Sequence, residues 1–119
     1  MAPVDVDRAA DALLEARRTR RWLTALPVGC RPGDLTEAYA IQDRVTRELG
    51  SVVAWKVGAG SPEAAPSRAP ITASTLLKDG DRLPAAALNH IGVEVEIAYR
   101  FARDLPPRAR PPRARSWER

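Results

Sequence analysis

The sequence predicts an α+β fold, with helices first and strands after them. Two observations carry this. Ala38, Ile41, Val45 and Leu49 recur at helical spacing. After Val52 the period switches to two, and the run Ile91 to Phe101 alternates apolar with polar residues. Helices grouped before strands are the pattern of an α+β rather than an alternating α/β chain.

The first helix is predicted over residues 5–23. Val6, Ala9, Ala10, Leu13 and Ala16 form its apolar side. Asp5 and Asp7 open it, and Arg17, Arg18, Arg20 and Arg21 lie near its end, which complements the helix dipole. Pro27 and Pro32-Gly33 mark a loop. The second helix has Thr36 as its predicted N-cap and Gly50 as the residue after its end.

Val52 to Val57 is predicted as a strand, with Val53, Trp55 and Val57 on one face and Val52, Ala54 and Lys56 on the other. Gly58 to Pro70 is rich in Gly, Pro and Ser and is predicted as a loop. Ile71 to Leu77 fits a short strand or a turn of helix, and Lys78 to Asp81 is a turn signal. The clearest predicted strand is Ile91 to Phe101, where Val93, Val95, Ile97 and Tyr99 alternate with Glu94, Glu96, Ala98 and Arg100. The expected organisation is a helical part over 1–50, a β-rich part over 51–105, and a disordered Pro/Arg tail over 106–119.

The 119 residues carry a net charge of +4. Five Arg and one Glu in residues 106–119 account for all of it, and residues 1–105 are neutral. The basic character therefore belongs to a twice-repeated Pro-Pro-Arg-Ala-Arg tail and does not mark the body as a nucleic-acid binder. No apolar run is long enough for a transmembrane helix, and the acidic start lacks a secretory h-region. With its single Cys30, the chain is expected to be cytoplasmic, with no membrane partner.

Four positions are candidates for chemistry. Glu94 and Glu96 share one face of the predicted strand, where two carboxylates suit a hard divalent cation. On pattern alone the outward face of a half-exposed strand is the favoured reading of this pair. Lys56 stands in an otherwise apolar strand before a Gly-containing loop, where it suits carboxylate binding or proton transfer. On pattern alone a guard on an edge strand is the favoured reading. Arg68 is a candidate to pair with an acidic substrate, and a solvated Arg is the favoured reading on pattern alone.

Taken together, three segments resemble a known family. Asp34-Leu35-Thr36-Glu37-Ala38-Tyr39-Ala40-Ile41-Gln42 is similar to a helix of the 2-keto-4-pentenoate hydratases, within the fumarylacetoacetate hydrolase superfamily. Trp55-Lys56-Val57-Gly58 resembles the family's Lys-bearing strand end. Gly92-Val93-Glu94-Val95-Glu96-Ile97-Ala98, followed by Arg103-Asp104-Leu105-Pro106, resembles its Glu-x-Glu segment. The resemblance covers about residues 5–106 and the N-terminal part of the family only.

The resemblance implies the first strands of a fumarylacetoacetate hydrolase-like mixed β-fold, truncated. It implies a lyase that adds water to 2-hydroxypenta-2,4-dienoate, giving 4-hydroxy-2-oxopentanoate, in aromatic-compound degradation. By carry-over, Glu94 and Glu96 are ligands of Mg²⁺ or Mn²⁺, and Lys56 is catalytic, sitting near the substrate to assist proton transfer or carboxylate binding; Arg68 stays a substrate-binding candidate from its own residue type alone. The family's third metal carboxylate falls beyond Arg119, so the chain is expected to be an inactive fragment. The expected partner is a small 2-oxo or 2-hydroxy-dienoate acid; a homo-oligomer is left open. The alternatives are a 2-oxo-hexenedioate decarboxylase or acylpyruvate-type hydrolase of the same superfamily. From another class, the alternative is a non-enzymatic binding module with a cationic tail.

Overall fold

The computed structural model describes residues 4–88 and 90–107. Its elements run α1 (Val6–Thr19), α2 (Leu35–Leu49), β1 (Val52–Gly58) and β2 (Ser67–Thr72). Short 3₁₀ turns follow at Ala73–Thr75 and Ala85–Ala87. The order is helices then sheet, the α+β class that the sequence predicts. No helix among the described residues is long and apolar enough to cross a membrane. The Pro/Arg repeat predicted as disordered lies, from residue 108 onward, outside the described residues.

In α1, the Asp5 side chain accepts from the Arg8 amide at 3.0 Å, so it satisfies one of the free N–H groups of the first turn. The helix ends at Thr19, earlier than the predicted 23. Arg20 adopts a left-handed conformation (φ 54°), and its amide reaches back to the Ala16 and Arg17 carbonyls. The apolar stripe has run out by Arg17, so no packing sustains another turn.

The N-cap of α2 is Asp34, not the predicted Thr36. The Asp34 carboxylate accepts from the Glu37 amide at 2.8 Å, and the Glu37 carboxylate accepts from the Gly33 amide at 2.7 Å. The two acceptors close a reciprocal clasp at the positive end of the helix, where a charged carboxylate outperforms a hydroxyl. Asp34→Ala should therefore cost about 0.5–2 kcal/mol. A lowered thermal midpoint followed by helical circular dichroism checks it, and an unchanged midpoint would refute this cap assignment.

The two helices pack around a small core of Ala9, Cys30 and Ile41. Val4, Val6, Leu13 and Leu26 close over it. The loop between the helices reaches the start of α1 through the Asp5 amide, which donates to the Gly29 carbonyl at 3.1 Å. Gly29 takes φ 82°, a left-handed conformation that its missing Cβ permits, and the turn places Cys30 inward. Arg44 of α2 donates to Asp7 of α1 at 3.1 Å and to Glu48 at 2.7 Å, so one guanidinium ties the helices together.

β1 and β2 form a two-stranded antiparallel sheet in which Trp55 faces Pro70, Lys56 faces Ala69 and Val57 faces Arg68. A bulge lies between Val52 and Ala54. The predicted loop over 58–70 thus ends earlier, because Ser67 to Pro70 are already paired. Pro70 is tolerated because it stands on an edge strand. The region Ile71 to Leu77 is both things that its sequence suits, the end of β2 and then the 3₁₀ turn. The Lys78–Asp81 turn closes with the Asp81 amide donating to the Lys78 carbonyl at 3.1 Å.

The expected last strand also fails. Residues 91–101, the clearest predicted strand, have no strand structure. Val93, Val95, Ile97 and Tyr99 are all exposed, Val95 to 96%. Alternation qualifies a segment for a sheet, but a strand exists only through its ladder and a covered apolar face. Among the described residues no strand pairs with this segment, and its apolar side chains are left uncovered.

Candidate functional site

The sheet orients the candidate residues. Arg68 lies with its guanidinium carbon 4.9 Å from the Trp55 ring centroid and 4.7 Å from that of Tyr39 on α2. Trp55 and Arg68 therefore occupy the same face of the sheet. Lys56, the next residue along β1, projects from the opposite face.

On that face Lys56 meets both acidic candidates. Its Nζ donates to Glu94 Oε2 at 2.6 Å and to Glu96 Oε1. The partners lie 38 and 40 residues further along the chain, so this contact fastens the 91–101 segment to β1. The two carboxylates are spaced two apart and turn to one ammonium although their segment is not a strand. Lys56 is 46% exposed and the carboxylates more so, so the cluster is bathed in water and individually weak.

Its electrostatics are nonetheless directional. Hydrogen bonding to Glu94, then to Glu96, raises the Lys56 pKa above its ordinary value. Hydrogen bonding from Lys56 holds the Glu94 carboxyl below the usual carboxylate value. At neutral pH Lys56 is a fixed cation and a hydrogen-bond donor, not a free base. Two carboxylates against one ammonium leave the cluster net negative.

A divalent cation does not fit these residues as they stand. Among the described residues no group of three or more His, Cys, Asp or Glu side chains comes together. The two carboxylates present are exposed and already face an ammonium, whereas a hard cation needs several more oxygen ligands. His90 does not complete the set; its ring lies against Gly92.

Arg68 is not brought to the cluster. Its amide donates to Tyr39 Oη at 3.2 Å, and its carbonyl accepts from Gln42 Nε2 at 3.3 Å. α2 thereby grips the main chain of β2 while Tyr39 and Trp55 flank the side chain. These contacts make Arg68 a latch between the helical layer and the sheet. The sequence reading missed Tyr39 and Gln42 as its partners. The available signal was their position on α2 beside the apolar stripe, one residue from Ala38 and from Ile41.

No protein-family profile matches the chain, and no solved structure matches it. Two curated proteins do. The chain is 33% identical over 112 residues to a 2-keto-4-pentenoate hydratase of Paraburkholderia phymatum, an alignment covering 84% of the chain and 42% of that protein. It is 35% identical over 108 residues to a 2-keto-4-pentenoate hydratase of Burkholderia vietnamiensis, covering 81% of the chain and 41% of that protein. The chain thus spans about two fifths of the length of the curated relatives it matches. It is related to the 2-keto-4-pentenoate hydratases, over that shared part of their length.

Proposed function

We propose that this chain carries the Lys56–Glu94–Glu96 portion of a hydratase that adds water to a small 2-hydroxy-dienoate acid, as in the conversion of 2-hydroxypenta-2,4-dienoate to 4-hydroxy-2-oxopentanoate. The observation that carries the reading is the single ammonium held by two carboxylates from a distant segment. The similarity to proteins named for that activity supports the choice of substrate class.

In this reading Lys56 binds the substrate carboxylate. An incoming anion competes with Glu94 and Glu96 for Nζ, and a carboxylate released from Lys56 becomes free to accept a proton from water. The Lys56 charge persists at neutral pH because its pKa lies above the ordinary Lys value. Mg²⁺ or Mn²⁺ is not assigned to the pair alone; Glu94 and Glu96 would be its ligands only where further oxygen donors join them. The open cluster does not exclude water, so turnover by the 119-residue chain is expected to be weak or absent.

Titrating the chain with 2-hydroxypenta-2,4-dienoate, and following both binding and loss of the dienoate absorbance, tests this. Binding should disappear in Lys56→Met, while turnover stays slow in both proteins. Equal binding by the two proteins would remove Lys56 from the site. Fast turnover would show that the exposed cluster is not the working geometry.

A further inference from the structure

A second site lies away from this cluster. The inner sides of α1 and α2 and the loop after α1 form an open cleft of about 660 Å³. That size falls within the range of small-molecule sites. Leu13, Leu26 and Ile41 supply apolar wall, and the exposed Trp22 stands beside them. Arg17 and Arg21 also line it, and no acidic side chain does.

The bonding of the basic run at the end of α1 singles out these two. Arg18 is paired with Glu15 at 2.7 Å. Arg20 donates to the Ala86 carbonyl at 2.9 Å. Arg17 and Arg21 have no side-chain acceptor among the described residues. The two arginines of this run without a side-chain acceptor are thus the two that line the apolar cleft. Gln42 also lines the cleft, and its Oε1 is shielded from solvent with no hydrogen-bond partner.

We propose that this cleft binds a medium-chain carboxylic acid, with the carboxylate on Arg17 and Arg21 and the alkyl chain along Leu13, Leu26, Ile41 and Trp22. A guanidinium fork matches a carboxylate, and burying the chain removes apolar surface from water. The cleft shares no residue with the Lys56 cluster, so the two readings stand or fall separately.

The test uses the full chain, octanoate as probe and octanol as its uncharged counterpart, with tryptophan fluorescence as readout. Octanoate should give a saturable change, and octanol should bind about tenfold more weakly. Arg17→Gln with Arg21→Gln should weaken octanoate by at least about tenfold, and Arg17→Lys with Arg21→Lys, which keeps the charge but loses the fork, should weaken it less. Trp22→Phe should lose most of the signal while binding persists by NMR. Circular dichroism confirms that each variant keeps its helices; if the Gln pair does not, the comparison of octanoate with octanol in the Lys pair decides. Equal affinity for octanoate and octanol, unchanged affinity in a folded Gln pair, or no saturable change would overturn the proposal.

Discussion

Ile41→Ala is expected to be the most damaging single substitution in the helical pair, lowering stability by about 2–5 kcal/mol. Ile41 is 3% exposed, and its core companions Ala9 and Cys30 are both small. It is therefore the largest of the three side chains in that core. Its removal leaves a cavity that two small neighbours cannot fill by changing rotamer. A domain held by about 5–15 kcal/mol in total has little margin for such a loss. Thermal or denaturant unfolding followed by helical circular dichroism measures it. A midpoint unchanged within error would mean that the helices are held elsewhere.

The second large effect is expected at Lys56. Replacing it with Met removes the ammonium that fastens residues 91–101 to β1 and leaves Glu94 and Glu96 facing each other uncompensated. The segment should detach, seen as faster proteolysis between Ile91 and Phe101 with the helices unaffected. Its pH dependence follows from the two shifts. Glu94 has a depressed pKa, so its contribution is present above its unfolded value and is lost as pH falls through the folded one. Lys56 has a raised pKa, so its contribution is present below its unfolded value and is lost as pH rises through the folded one. The wild-type segment should be held at neutral pH and released at both extremes. Equal proteolysis of wild type and Lys56→Met at neutral pH would contradict this.

How much of this was legible in the sequence differs by element, for physical reasons. α1, α2 and β1 could be read because their signals are local. An Asp cap, an apolar stripe and a β-branched run act within a few residues. The cap of α2 was misplaced because Asp34 and Thr36 are both good caps, and the Glu37 clasp that favours Asp34 also involves the Gly33 backbone. β2 was partly hidden by Pro70, which reads as a breaker unless the strand is known to be an edge.

The 91–101 segment shows the opposite failure. Its alternation is correct for a strand, yet pairing depends on partners that periodicity does not contain. Within the candidate site, the closeness of Glu94 and Glu96 could be anticipated from their spacing. Their joint contact with Lys56 could not, because it spans some forty positions of chain. The separation of Arg68 from Lys56 follows from strand register, which the loop after Gly58 does not fix in advance.

The account rests on Lys56 gathering Glu94 and Glu96, and the titration of Glu94 tests this most directly. Its side-chain carboxyl, followed by NMR across acidic pH, should ionise below the ordinary Glu value in the wild-type chain. In Lys56→Met it should move up toward that value, since the Lys56 hydrogen bond and charge that lower it are gone. A Glu94 carboxyl that titrates at the same pH in both proteins would contradict the cluster and the function built on it.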